Sequence, residues 1–414
     1  MKYCTRCLYP ENHPLGIIFD ETGVCSGCRV HEEKDTFDWN SRRERLKKLL
    51  SGYRSKSGRG YDCIIPVSGA RDSYFIVDMI KNEFGMNPLL VTYNKHYNTT
   101  LGIRNLAYLR SLIGGDILYQ TLAPQTVRKI TRHTIKKMGS MYWHCLAGQT
   151  VFPVQIAVRF KIPLIIWGAH QGIDQVGMFS HANEVEMTRR YRKDHDLMGC
   201  EAEDLIGGDS PLMERDIRQL MYPHDKEIEK VGVRGIYLNN FIRWDTKAQH
   251  EKMIAKYNYE SNVQLRTFDT YSDVDCFHYS SLHDTIKYIK LGYGKVTDHA
   301  SREIRLKRMT RERGIELVEK YRGDEFEPAN LKLFLEWTGV NETEFRNYLD
   351  AFRDPKIWEK KNNKWALKDS VINSTGFANL ELEKQKCDFQ ITPKRSAKPL
   401  SERYILIGRG HADS

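Results

Sequence analysis

The sequence predicts an α/β protein: a doubly wound parallel sheet, preceded by a small metal-binding head and followed by a mainly helical region. Three observations carry this. Short apolar runs alternate with segments of helical period between residues 62 and 168. Two Cys-x2-Cys pairs fall within the first 28 residues. Beyond about residue 230 helical spacing dominates and convincing strands are few.

Asp62 to Val67 forms a short apolar run suited to a buried strand, and Tyr74 to Phe84 has helical spacing. Pro88 to Tyr93 and Asp116 to Thr121 read as further strands, separated by a helix over Thr100 to Leu112. Helices over Pro124 to Lys137 and Gln149 to Phe160 precede a strand over Pro163 to Trp167, which closes at Gly168. Strands alternating with helices imply βαβ crossovers and a parallel sheet, whose ligands bind at the carboxyl ends of the strands. The loop Pro66-Val-Ser-Gly-Ala-Arg-Asp-Ser73 and the stretches starting at Tyr93 and Trp167 all lie at such ends. They are expected to converge. The chain divides into a head over 1–50, an α/β domain over 51–230 opening on the Gly/Ser/basic linker Ser51 to Gly60, and a mainly helical region over 231–414 with a basic tail, Lys384 to Arg403.

With 414 residues, 40% hydrophobic and 29% charged, the chain is globular and large enough for two or three domains. No apolar run approaches the roughly 18 residues that span a bilayer, and MKYCTRCLYP lacks the apolar core of an export signal. A cytoplasmic protein without membrane insertion is expected. The net charge of +10 favours an anionic partner such as a nucleotide, sugar nucleotide, RNA or acidic membrane, without choosing among them.

Cys4-x2-Cys7 and Cys25-x2-Cys28 lie 17 residues apart, the spacing of a tetrahedral zinc site. So short a head has too little core to fold alone, so metal would supply the missing free energy. Four thiolates close the coordination sphere, which makes the zinc structural rather than catalytic. The other cysteines are scattered, and an odd total of nine argues against a disulfide framework.

In PVSGARDS no Gly-Lys-Ser/Thr ends the loop, so it is not a Walker loop. Ser68 and Ser73 offer hydroxyls, Gly69 permits close backbone approach, and the following helix start adds free N–H groups, so the loop suits a phosphate. Arg71 is placed to touch that phosphate, and Asp72 to hold Mg²⁺ or cap the helix. An ordinary capped strand-to-helix turn is the bland alternative.

Ser68-Gly-x-x-Asp-Ser73 after a strand resembles the PP-loop of the ATP pyrophosphatase superfamily, usually SGGxDS, with Ala70 where a second Gly is common. If that position needs a positive φ, Ala is strained there. The zinc head, the PP-loop, His144-Cys145, Phe152-Pro-Val, Ile162 to Gly168, Gln171 to Ser180, Leu291 to Asp298 and Ser301 to Arg305 together resemble the N-acetyl sugar amidotransferases, of the WbpG-like type that makes acetamidino sugars of bacterial lipopolysaccharide O-antigen.

The resemblance implies that ATP, with Mg²⁺, adenylylates the acetamido oxygen of a UDP-linked uronic sugar, and ammonia then displaces AMP. It implies cofactor contacts from Ser68, Gly69, Ala70, Arg71, Asp72 and Ser73, with Tyr93 and Gly168 beside the adenosine, and catalytic roles for Asp72, Arg71 and His144. Substrate contacts are expected from His170, Gln171, Asp174, Gln175, Lys295, Arg302 and Arg305. Plainer readings stand beside these: a packed core His144-Cys145 pair, a capping loop at His170 to Gln175, and a surface salt-bridge face for the basic trio. Glu184 and Glu186 could hold Mg²⁺ or pair with Arg189 and Arg190. The chain shows no glutaminase motif, so a separate HisH-like glutaminase with a HisF-like ammonia-passing partner is expected. A PP-loop tRNA-modifying thiolase or ligase is the alternative function, although nucleic acid is the less favoured partner.

Overall fold

The structure, a computed structural model, describes residues 1–376, 388, 389, 391 and 392. The basic tail otherwise lies outside the described residues. In the head, α1 (Ser26–Glu33) starts directly from Cys25, and α2 (Trp39–Ser51) is capped by the Asp38 carboxylate, which accepts from the Asn40 and Ser41 N–H groups. The sheet follows: β1 (Cys63–Pro66), α3 (Arg71–Asp78), β2 (Pro88–Tyr93), α4 (Thr100–Tyr108), β3 (Ile117–Gln120), α5 (Pro124–Met138), α6 (Trp143–Phe160), β4 (Leu164–Trp167), α7 (Gln171–Asp174) and β5 (Arg234–Tyr237).

All five strands are parallel, in the order β3-β2-β1-β4-β5. The chain therefore reverses direction across the sheet between β1 and β4, and at such a switch point the loops leaving adjacent strands part and open a crevice. The period-two rule assigns the two faces. Ile65, Leu90, Ile166 and Ile236 pack with α3 and the helix Thr246–Tyr257, whereas Ile64, Leu89, Val91 and Ile165 pack with Phe152, Val154 and Ile156 of α6. Both faces are covered, which is why these strands read as continuous apolar runs.

Two features differ from the sequence reading. β5 lies past residue 230, where mainly helix was expected; four residues, one a glycine, gave too little pattern to see. A two-stranded antiparallel hairpin, Trp358–Lys361 with Lys364–Leu367, also interrupts the helical region. The helical region includes the consecutive helices Pro328–Thr338 and Glu342–Asp350. No helix among the described residues is long and apolar enough to cross a membrane.

The head has no core of its own. Leu8, Tyr9, Ile17 and Val24 pack against Val296, Ala300, Ile304, Leu317 and Val318 from the helices Lys295–Arg305 and Arg311–Tyr321. Leu8 N–H also donates to Ser301 Oγ at 3.2 Å. The head and these two helices thus form one unit beside the sheet.

Candidate active site

The loop after β1 leaves the strand in register, with Val67 N–H donating to the Val91 carbonyl at 2.8 Å. It then ties itself into a fixed shape. Ser68 N–H donates to Ser73 Oγ at 2.9 Å, and Ala70 N–H donates to Ser68 Oγ at 3.1 Å. Gly69 is dictated by space: a Cβ there would lie 2.1 Å from the Gly102 carbonyl oxygen at the start of α4. On its other side the Gly69 carbonyl accepts from the buried Tyr259 hydroxyl at 3.1 Å. Ala70 has φ −86° and ψ 165°, ordinary extended backbone, so its methyl carries no strain. The second glycine common in this kind of loop is not required by the backbone here. α3 begins at Arg71, leaving its first-turn N–H groups available to an anion.

A cavity of ≈ 470 Å³ opens at the switch point. Arg71 and Asp72 line it from the loop, and Ala169, Gln171, Asp174 and Gln175 from the segment after β4. Tyr9, His31 and Lys34 reach it from the head. The opposite wall carries His283, Asp284, Lys287, Lys295, Asp298, His299, Arg302 and Arg305. Four distant stretches of chain therefore share one site.

Its electrostatics centre on Asp269, fully buried behind the wall. The carboxylate accepts from Tyr271 N–H at 2.7 Å, Ser272 N–H at 2.8 Å, Ser272 Oγ at 2.7 Å and Arg302 Nη2 at 2.9 Å, with Arg71 Nη1 at 3.5 Å. Burial pushes its pKa up, but His299, Arg302 and Arg71 hold it well below the carboxylate range. Burial keeps His299 itself at about 3 and neutral, so the two guanidiniums carry the effect. Arg71 is thereby aimed from the loop toward the opposite wall. Lys295 stays charged, because Asp273, 2.9 Å away, and Asp284 outweigh the burial that lowers it. His283 is pushed down by burial to about 4, and His31 well below its usual value, so three neutral imidazoles face the cavity.

Cys4, Cys7, Cys25 and Cys28 are buried with their sulfurs all within 4.8 Å of one another. Cys4 Sγ lies 3.9 Å from Cys28 Sγ, and Cys7 Sγ lies 3.6 Å from Cys25 Sγ. Tetrahedral zinc with bonds of about 2.3 Å requires sulfur separations of about 3.8 Å, so the residues present fit that ion. The N–H groups of Arg6, Cys7 and Cys25 donate to Cys4 Sγ at 3.3–3.4 Å, as anionic sulfur in a knuckle requires. Cys28→Ser is expected to reduce metal from one ion per chain to a small fraction, read by inductively coupled plasma mass spectrometry. It is also expected to lower the melting temperature by several degrees or more, because in small zinc peptides the ion supplies about 10–16 kcal/mol of folding free energy.

Not every expected site residue reaches the cavity. His144 is fully buried in α6, its Nδ1 3.3 Å from the Tyr93 hydroxyl and its ring beside Cys145, as the packed-core reading has it. Tyr93 is likewise turned inward, against the Gly148 backbone of α6. His170 sits under Phe179, Tyr191 and Tyr237 rather than in the cavity wall. Gly168 packs against Ile76 and Trp244 at the end of β4. Arg302 and Arg305 line the cavity, but Arg302 donates to Asp269 and Glu303, and both Nη groups of Arg305 are held by two carbonyls and two cysteine sulfurs. Glu184 and Glu186 pair with Arg45 and Arg234, not with Arg189 and Arg190. Lys34, His31, Asp269 and His283 were missed. Only the i, i+3, i+6 spacing of Cys28, His31 and Lys34 could have shown that the cysteine-bearing face of α1 continues into the site.

A self-tied loop at the switch point of a five-stranded parallel sheet, beside a four-cysteine cluster, defines a doubly wound α/β protein whose site lies at the carboxyl ends of its strands. Residues 264–371, which supply the cavity's far wall, match the family described as LPS biosynthesis protein WbpG-like, C-terminal domain. An uncharacterized protein of Methanocaldococcus jannaschii, MJ1599, is 24% identical over 102 residues, covering 25% of this chain and 36% of that protein. The chain thus spans about a third of the curated relative it matches. The solved NMN synthetase from Francisella tularensis aligns over 53% of this chain and 96% of its own, at 11% identity and a TM-score of 0.25.

Proposed function

We propose that this chain is an ATP-dependent amidotransferase that converts an N-acetyl group of a UDP-linked acetamido uronic sugar to an acetamidino group, for lipopolysaccharide O-antigen synthesis in the cytoplasm. One observation carries the reading: the phosphate-type loop and the WbpG-like domain line the same cavity, Arg71 and Asp72 on one side and Lys295 on the other.

The loop N–H groups, Ser68, Ser73 and the start of α3 would receive the ATP phosphates, and Ala70 presents no steric objection. The strand ends at Tyr93 and Gly168 would flank the adenosine through backbone. Asp72, nearly half exposed at the cavity edge, is the carboxylate available for Mg²⁺. Lys295, Gln171 and Gln175 would contact the sugar nucleotide.

An amide oxygen is a poor leaving group, so its replacement by nitrogen needs activation. The amide oxygen attacks the α-phosphorus and pyrophosphate departs. Ammonia then adds to the imidate carbon, the C–O bond breaks, AMP leaves, and the amidine is released as its cation. Water in place of ammonia would return the amide, so a cavity walled on several sides favours the productive path. Ammonia would come from a separate HisH-like glutaminase through a HisF-like partner.

The test incubates candidate UDP-acetamido uronic acids with protein, ATP, Mg²⁺ and ammonium. Mass spectrometry is expected to show a product lighter by about 1 Da, as replacing O by NH requires, with one AMP formed per product. AMP formation without that mass change, or no ATP consumption with any candidate, would overturn the reading.

A further inference from the structure

The four-cysteine cluster does not merely staple the head shut; its surroundings run into the cavity. Arg305 is the junction. Its Nη2 lies 3.4 Å from Cys25 Sγ and 3.8 Å from Cys7 Sγ, while Nη1 donates to the Asp174 and Gln175 carbonyls at 3.0 and 2.7 Å. A guanidinium is planar and rigid, so the sulfurs and α7 with the residue after it are fixed relative to each other. The Asp174 carboxylate in turn receives Lys34 Nζ at 2.8 Å. Lys34 closes the carboxyl end of α1, whose amino end is held by Cys25 and Cys28. The circuit is closed: sulfurs, Arg305, α7, Lys34, α1, sulfurs.

The packing within this circuit leaves no slack. A Cβ on Gly27 of α1 would lie 2.4 Å from both Arg305 Nη2 and the Gln175 carbonyl oxygen. Gly177, at φ +63°, is required on two grounds, since a Cβ there would also lie 2.3 Å from the Ser26 carbonyl oxygen. Lys34 itself is a buried ammonium in the cavity wall, with one carboxylate partner and a 3.4 Å contact to the Trp244 carbonyl. An ammonium has three donors, and the cavity side is where a third acceptor can come.

We propose that Lys34 is an anion-binding residue of the cavity, and that Arg305 is a positioning residue linking it to the four-cysteine cluster, so that filling the cavity and the state of the cluster are coupled. This deepens the site of the proposed function and rests on that reading for the anion being a phosphate of the substrates. The head is then part of the active site rather than an appendage to it.

The experiment uses the full-length protein carrying cobalt(II) in the cysteine site, with inorganic pyrophosphate as the probe. Calorimetry measures binding, and the thiolate-to-cobalt absorption band reports on the sulfurs. Pyrophosphate is expected to bind and to shift the band. Lys34→Met is expected to weaken binding by about tenfold or more with metal content kept, and Lys34→Arg to restore it within a few-fold. Arg305→Lys is expected to bind pyrophosphate with a smaller band shift. A band that stays fixed while calorimetry shows pyrophosphate bound would overturn the coupling. Wild-type affinity in Lys34→Met would overturn the role of Lys34. No binding by the wild-type protein would overturn both, along with the phosphate-loop assignment. Binding with a band shift in a protein that aminates no sugar would leave this inference standing and remove only the proposed reaction.

Discussion

Gly69→Ala is expected to destroy turnover while Ala70→Gly preserves it, although the two residues are adjacent in the loop. At Gly69 a methyl would meet the Gly102 carbonyl oxygen at 2.1 Å, and α4 cannot retreat, because a Cβ on Gly102 would already lie 2.3 Å from Asp275 Cα. Three backbone segments are stacked in contact there. The methyl must push the loop toward the cavity, at a cost of about 1–3 kcal/mol for overpacking. A displacement of about 1 Å in a phosphate-positioning loop costs roughly a hundredfold in rate. Ala70, at φ −86°, is relaxed, so glycine there changes only the freedom of the unfolded chain, by less than about 1 kcal/mol. Urea unfolding and pyrophosphate release check both variants. Equal behaviour of the two would mean that the loop is not held as described.

Acidification from pH 7 to 5 is expected to unfold the protein, with buried histidines as a principal cause. His144 and His181 are fully buried, and burial pushes their pKa values down to about 3 and about 4. His13 and His170 are held at about 3 and about 4 for the same reason. All four are neutral in the folded protein at pH 5. In the unfolded chain they charge near 6.5, so the unfolded state binds more protons below that pH. Their contribution is therefore fully present above about pH 6.5 and is lost as pH falls toward 4 or 3. Each costs about 1.4 kcal/mol per pH unit in that window, and four together approach the 5–15 kcal/mol that holds a typical domain. Asp269, depressed instead of neutral, begins to matter only below its ordinary range near 4. His144→Gln isolates one group, because metal release at low pH is common to both proteins. Its stability between pH 6.5 and 5 is expected to fall less steeply than wild type by about 1.4 kcal/mol per pH unit. Identical slopes would show that His144 is not held neutral.

The legible parts of this protein share one property: their signal lies within about 30 residues. The cysteine pairs, the strand-loop-helix around PVSGARDS and the first four strands were all readable from spacing and period. The first four strands read as uninterrupted apolar runs because both faces of the sheet are covered. β5 escaped because Arg234-Gly-Ile-Tyr237 is too short and too mixed to show a pattern. The resemblance implied a catalytic role for His144, yet local sequence does not say which way a side chain in α6 points. The same limit held for Arg302 and Arg305, whose basic run reads as an anion grip until their partners are known.

By itself the sequence determined the fold class, the four-cysteine cluster and the loop that begins at Ser68. Only the tertiary structure decided who faces the cavity. Arg71 meets Asp269 across 198 positions, Lys34 meets Asp174 across 140, and Arg305 meets Cys25 across 280. The physical reason is that helix, strand and chelate are closed by interactions within one stretch of chain, whereas an ion pair records only which surfaces packing brings together. Packing depends on the whole apolar pattern at once, so it cannot be read from any single stretch.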